Sequence, residues 1–247
     1  STMVTLCVQV DVILVGDSAG MVMLGYENTT SVTIDDMIRF TTAAKNGRKN
    51  SLIVSDLPIK TYENEKDAIT NSLKLIQAGA DAVKLEGGKE MAKIVSAIVN
   101  SGIPVMGHLG LLPQTAEKYT VQGKTKDEAI KLVKDARILE ESGVFSIVLE
   151  MVTSETAKII TEKVTIPTIG IGSGKDCDGQ VLVVHDMLGM FEKIKPKFAK
   201  RYLSLAEEIR NAVKLYVTEV KEGKFPSQDN EFLMQESEYN KLREGIV

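Results

Sequence analysis

Apolar positions along this chain gather into short runs, and each run ends in a charged or small polar group. The run Val10 to Val15 closes on Gly16, Asp17 and Ser18, and four later runs close on Asp56, on Lys84 with Glu86, on His108 and on Glu150. Between the runs the pattern changes to apolar residues three and four apart, the spacing of an amphipathic helix. It predicts strands near Thr2 to Thr5, Val10 to Val15, Leu52 to Ser55, Ala82 to Leu85, Pro104 to Gly107, Ser146 to Leu149, Thr168 to Ile171 and Val181 to Val184. It predicts helices over Ile34 to Asn46, Lys66 to Ala78, Glu90 to Asn100, Lys126 to Ser142 and Glu155 to Lys163. Thr33 is placed to cap the first, with Asp35 and Asp36 in its opening turn.

The unit repeats: an amphipathic stretch, a glycine, then a β-rich run. Gly79, Gly102 and Gly143 stand where a helix closes in the left-handed conformation. The copy from Ala157 to Gly172 has Lys163 in place of the glycine. Strands alternating with helices imply parallel pairing, and eight such units fit an α/β fold of the (β/α)8 TIM-barrel type. We expect one domain over residues 1–247, with C-terminal helices at Pro196 to Leu205 and Ala206 to Glu222 and residues 226–247 as an arm.

Composition narrows the partners. Hydrophobic residues are 43% and charged residues 26% of the chain, so a sizeable core is available and extensive disorder is not expected. The net charge is −4 with Lys and Arg scattered, which gives no footprint for nucleic acid or an anionic membrane. No apolar run approaches the roughly 20 residues of a spanning helix, and no basic segment with an apolar stretch opens the chain. The expectation is a cytoplasmic protein with a small-molecule partner. Cys7 and Cys177 lie far apart and outside any Cys/His cluster, so both read as plain thiols. With only His108 and His185 as histidines, a metal site would rest on carboxylates.

In a (β/α)8 barrel the active site gathers at the C-terminal ends of the strands. Asp17, Asp56, Lys84, Glu86, His108 and Glu150 all stand there. Singly, each has a plain alternative: Asp17 and Asp56 as turn caps, Lys84 and Glu86 as a structural ion pair, His108 as a satisfied core histidine. Together, four carboxylates around one mouth call for a cation, and an oxygen-binding divalent ion such as Mg²⁺ is the economical choice. Glu150 ends the apolar run SIVLE, so a partly desolvated carboxylate with a raised pKa, suited to a general base, is expected there. Gly170 to Gly174, GIGSG, reads either as a tight turn or, more weakly, as a phosphate cradle.

Eight strings in order resemble the ketopantoate hydroxymethyltransferase family. They are VGDS (15–18), SDLP (55–58), VKLEGG (83–88), GHLGL (107–111) with Pro113-Gln114, VLE (148–150), GIGSG (170–174), CDGQ (177–180) and PKF (196–198). The resemblance covers Val10 to about Pro226. It implies a barrel of the phosphoenolpyruvate/pyruvate type that transfers a one-carbon unit from 5,10-methylenetetrahydrofolate to 3-methyl-2-oxobutanoate in pantothenate synthesis, on the way to coenzyme A. It further implies Asp17 and Asp56 as Mg²⁺ ligands, Glu86 at the metal directly or through water, Ser18 and Lys84 as keto-acid contacts, Glu150 as base, His108 lining the site, and a homo-oligomer, typically a decamer. Met21, Val22 and Met151 are guesses for the apolar wall. Two other classes remain: a folate-independent, Mg²⁺-dependent aldolase or lyase, told by activity without folate, and a non-catalytic barrel, told by loss of Mg²⁺ binding.

The chain departs from the family pattern twice. Only Leu6 to Gln9 separate the first two predicted strands, whereas a parallel crossover needs about a dozen residues, and the loop between Gln114 and Val121 is short and lacks a Gly-Gly pair. We expect longer, mobile site segments at both places in the expressed protein. An intact mass equal to the 27.0 kDa of this sequence would refute that expectation.

Overall fold

The computed structural model describes residues 10–193 and 195–245. Seven parallel strands form one curled sheet in sequence order: β1 (Val12–Val15), β2 (Leu52–Asp56), β3 (Ala82–Lys84), β4 (Val105–Gly110), β5 (Ser146–Glu150), β6 (Thr168–Ile171) and β7 (Gly179–Gln180). The helices between them are α1 (Ala19–Met23), α2 (Ile34–Gly47), α3 (Glu65–Ala78), α4 (Ala92–Asn100), α5 (Lys126–Glu141) and α6 (Ser154–Lys163). The predicted strand Thr2 to Thr5 lies outside the described residues, as does Cys7.

Local chemistry sets the helix boundaries. Thr33 and Asp36 cap α2 reciprocally, and Thr125 and Glu128 do the same for α5, so two otherwise orphaned N–H groups are satisfied at each start. Gly79, Gly102 and Gly143 all take positive φ at the helix ends, as the repeat predicts.

Each strand sorts its side chains by alternation. One face, with Ile53, Val83, Val105, Leu109, Ile147 and Leu149, joins the main core beneath the helices. On the other, Val54, Ala82, Met106 and Val148 form a second apolar cluster with Val12, Leu14, Ile169 and Ile171 around it. Two residues further along the same strands come Asp56, Lys84, His108 and Glu150. The register is staggered from strand to strand: it pairs Asp56 with Lys84, Lys84 with Met106, and His108 with Val148. The polar groups therefore form a layer above an apolar floor inside the curl.

Two predicted elements are corrected. Val181 to Val184 is not a strand: β7 is Gly179–Gln180, Val181 N still donates to Gly170 O at 3.0 Å, and Val184 opens the short helix α7 (Val184–Met187). A four-residue apolar run carries no periodicity able to separate the two. Pro196 to Leu205 is not a helix either. Tyr202 N and Leu205 N donate to Met187 and Leu188 carbonyls rather than to residues four back.

The chain divides into two compact units. One runs to Val183 and takes in Pro196–Ala199; the other holds Val184–Lys195 and Lys200 onward. The second contains α8 (Leu205–Lys221) and α9 (Glu236–Glu244). Along α8, Ile209, Val213, Tyr216, Val217 and Val220 fall at helical spacing, and each is more than 40% exposed.

Gly110, at the end of β4, has φ +97, and a Cβ there would lie 2.2 Å from the Glu150 carbonyl oxygen. Gly110→Ala adds backbone strain of about 1–3 kcal/mol and overpacking of about 1–3 kcal/mol. Thermal melting should show a Tm lower by at least about 4 °C; an unchanged Tm would mean that β4 and β5 can part here without cost.

Candidate active site

The layer above the floor is dense in charge. Asp17, Asp56, Lys84, Glu86 and His108 are buried, and the Glu150 side chain is 18% exposed. The structure thus brings together every charged residue that the sequence placed at a strand end. Lys84 Nζ lies 3.1 Å from Asp56 Oδ1 and 3.1 Å from His108 Nδ1. An ammonium only donates, so His108 Nδ1 accepts and the ring proton sits on Nε2. That nitrogen faces Glu150 Oε2 at 3.4 Å without a hydrogen-bonded partner. Burial first, and Lys84 second, hold the His108 pKa well below its ordinary value, so the imidazole is neutral.

The carboxylates are pushed the other way. Burial, joined by Asp56, raises Asp17 to about 6. Burial raises Glu86 to about 8 and Glu150 to about 7, against the pull of Lys84. Burial raises Asp56 as well, with Lys84 again opposing. For Lys84, burial disfavours the charge, yet Asp56, Glu86 and Asp17 outweigh it and push the pKa up. Four carboxylates face one ammonium, and that surplus of negative charge suits a divalent cation.

The donors fit a hard cation held by few protein ligands. Asp56 Oδ2 accepts from Asp17 N at 3.1 Å, while Asp56 Oδ1 is buried without a hydrogen bond among the described residues, the Lys84 ammonium lying 3.1 Å from it in poor geometry for one. Among the described residues no group of three or more His, Cys, Asp or Glu side chains is arranged around one metal position. A two-carboxylate site is nonetheless what Mg²⁺ commonly uses, with water and ligand oxygens supplying the rest. Asp17 and Asp56 could hold the ion, and Glu86 stands behind them. Ser18 caps α1 without a side-chain capping bond, so its hydroxyl is not spent on the helix start.

The backbone around Glu150 is held from both sides. Its carbonyl accepts from Leu111 N at 2.8 Å, and Met151 N donates to Ile171 O at 2.9 Å. Met151 takes φ +49, which is uncommon for a side chain other than glycine. Ser173 Oγ donates to Leu149 O at 2.7 Å and accepts from Val152 N at 3.1 Å. The GIGSG stretch therefore works as a tight turn bracketing Glu150.

Two residues were not picked out from sequence. Gln114 is 3% exposed, and its Nε2 donates to Asp17 Oδ2 at 2.8 Å and to Leu57 O at 3.0 Å. Its backbone N–H reaches Glu86 Oε2 at 3.1 Å, and Tyr62 OH donates to its Oε1. The only signal was the Pro113-Gln114 pair within the family strings.

Comparison with known proteins gives a family and a fold. The sequence model of a family described as ketopantoate hydroxymethyltransferase matches residues 2–228. The chain is 59% identical over 251 residues to 3-methyl-2-oxobutanoate hydroxymethyltransferase of Nitrosopumilus maritimus (strain SCM1), covering 99% of this chain and 90% of that one. It is 53% identical over 245 residues to the protein of the same description from Cenarchaeum symbiosum (strain A), covering 98% and 94%. Among solved structures it resembles phosphoenolpyruvate phosphomutase from Streptomyces platensis subsp. rosaceus, with TM-score 0.57, 10% identity and coverage of 96% and 85%. It also resembles 2,3-dimethylmalate lyase, a PEP mutase/isocitrate lyase superfamily member, with TM-score 0.53, 14% identity and coverage of 99% and 89%. At those identities the likeness is one of fold.

The shifted carboxyls fix a pH dependence. Without a metal, Asp17, Glu150 and Glu86 keep their protons to about pH 6, 7 and 8, whereas an unfolded chain has released them by about pH 5. The folded state binds more protons, so this contribution to stability is complete below the unfolded values and is lost as pH rises through the folded ones. Melting curves of the metal-free protein should show Tm falling from pH 5 to pH 8, with Glu150→Gln flattening the fall near pH 7. A wild-type Tm that rises over that range would mean that the three groups are already ionised in the fold.

Proposed function

The chain belongs to the ketopantoate hydroxymethyltransferase family and is an enzyme that transfers a hydroxymethyl group from 5,10-methylenetetrahydrofolate to 3-methyl-2-oxobutanoate, and from that premise we propose the part each site residue takes. The reading is carried by one observation: Asp56, Lys84, His108 and Glu150 share a layer, with Asp17 beside it and an unsatisfied carboxylate oxygen on Asp56.

Asp17 and Asp56 would hold Mg²⁺, with Glu86 reaching it directly or through water. When bound, the ion supplies positive charge for the keto oxygen as negative charge develops there. Ser18 and Lys84 orient the keto acid, and Lys84 offsets its charge before and after the proton leaves. Glu150 removes the C3 proton; a base with a pKa of about 7 is half ionised at neutral pH. His108, neutral and protonated on Nε2, steers the Glu150 carboxylate. The C3 carbanion then bonds to the methylene carbon of the folate as one of its two carbon–nitrogen bonds breaks. Water supplies the hydroxyl as the second breaks, and the two freed nitrogens of tetrahydrofolate take up the C3 proton held by Glu150 and the proton left from water. Met151 follows Glu150 directly and is our choice for the apolar wall, with Met21 and Val22 on α1.

No helix among the described residues is long and apolar enough to cross a membrane. We place the enzyme in the cytoplasm, acting on small molecules without nucleic acid. We also place it in a homo-oligomer, a decamer by family resemblance, and the apolar stripe of α8 supports a subunit contact.

Proton exchange at C3 tests the mechanism. The protein, Mg²⁺ and 3-methyl-2-oxobutanoate in D₂O, followed by NMR, should show exchange that needs the metal and rises with pH to a plateau above about pH 7. Glu150→Gln should lower the rate by at least about 100-fold, and Asp56→Ala should abolish the response to Mg²⁺. Exchange that is unaffected in Glu150→Gln would remove that residue as the base.

A further inference from the structure

Gln114 joins more of the site than any residue in the layer itself. It follows β4, yet its side chain reaches Asp17, after β1, and the Leu57 carbonyl, after β2, while its backbone N–H holds Glu86, after β3. The amide has one workable orientation. Asp17 Oδ2 and Leu57 O are both acceptors, so they need Nε2; the Tyr62 hydroxyl donates to Oε1 on the other side. Turned over, the amide would set an oxygen against two acceptors in a buried place, where an unsatisfied polar group is costly.

We propose that Gln114 and Tyr62 are positioning residues for the cation site. Gln114 occupies Asp17 Oδ2 and so leaves Oδ1 as the oxygen available to the ion, and Tyr62 keeps the Gln114 amide facing Asp17. The proposal rests on the reading of Asp17 and Asp56 as cation ligands. Both ligands are then oriented by an N–H on one oxygen, Asp56 by the Asp17 backbone and Asp17 by Gln114. This leaves one oxygen of each carboxylate turned toward the metal, Asp56 Oδ1 being shared with the Lys84 ammonium 3.1 Å away. Outer contacts of this kind orient ligands and tune affinity in metal sites generally.

The arrangement also makes a clean test possible. The Glu86 contact comes from the Gln114 backbone and survives any side-chain change, so Gln114→Met removes the amide contacts alone and keeps most of the volume. The probe is Mn²⁺, titrated by electron paramagnetic resonance against the full-length protein without keto acid. Gln114→Met should raise the Mn²⁺ Kd by roughly 10–100-fold. Tyr62→Phe should raise it by roughly fivefold, the loss of one neutral hydrogen bond. High metal concentration should restore much of the C3 exchange rate in Gln114→Met, which a general loss of structure would not allow. Folded Gln114→Met with wild-type Mn²⁺ affinity, while Asp17→Asn loses binding, would overturn the positioning role and leave the cation reading intact. A wild-type protein that binds no Mn²⁺ would overturn both.

Discussion

A single ammonium group, Lys84 Nζ, buried among carboxylates is the interaction on which the site depends. Removing a lone charge from water is prohibitive, and it becomes tolerable only with opposite charge and hydrogen-bonding groups in contact. Here Asp56 and His108 flank the ammonium directly, and Asp17 and Glu86 add their fields from further away. The dependence runs both ways. Without Lys84 the carboxylates would meet only one another, and burial would keep more of them protonated. Strand alternation puts Asp56, Lys84, His108 and Glu150 on the floor's side of the sheet, each two positions beyond a floor residue. The register is staggered, pairing Asp56 with Lys84 but Lys84 with Met106 and His108 with Val148, so it is the reach of the side chains that brings the groups together.

Much of this was legible in the chain. The strand-ending pattern located Asp17, Asp56, Lys84, Glu86, His108 and Glu150 because alternation along parallel strands is a local property, and local properties survive in sequence. Gly79, Gly102 and Gly143 were readable for the same reason: a left-handed helix end selects glycine wherever it occurs. What failed was of two kinds. Val181 to Val184 is too short to show a period, and Pro196 to Leu205 has helical composition but spends its N–H groups on carbonyls outside the segment. Gln114 and Tyr62 were harder to read: apart from the Pro113-Gln114 pair within the family strings, nothing in an isolated glutamine announces a bond to an aspartate 97 positions away, and Tyr62 stands in no strand-ending pattern.

Backbone control complements the charge control. Glu150 sits between a glycine whose missing Cβ lets β4 close on its carbonyl and a methionine held at positive φ. Ser173 ties the turn after β6 to the residues on either side of it. Strain at Met151 persists only because these neighbours over-determine the conformation. A base that must reach one carbon of a small substrate gains from such rigidity, since misplacement by a fraction of an ångström is expensive in rate. The GIGSG motif thus fixes the backbone on either side of Glu150.

Charge and geometry meet in the coupling between metal and protons. The buried carboxyls retain protons in the metal-free protein, with Asp17 at about 6 and Glu86 at about 8. A divalent cation binds their ionised forms, so its arrival must expel protons, and its affinity must rise with pH over the same interval. Lys84 keeps its proton throughout, because the three carboxylates that raise its pKa remain around it. His108 stays neutral in both states, held so by burial and by the unchanged ammonium beside it. A cation bound there would therefore change the protonation of the carboxylates while Lys84 and His108 remain fixed. That division would let one buried layer bind a metal and still hold Glu150 near half ionisation at neutral pH.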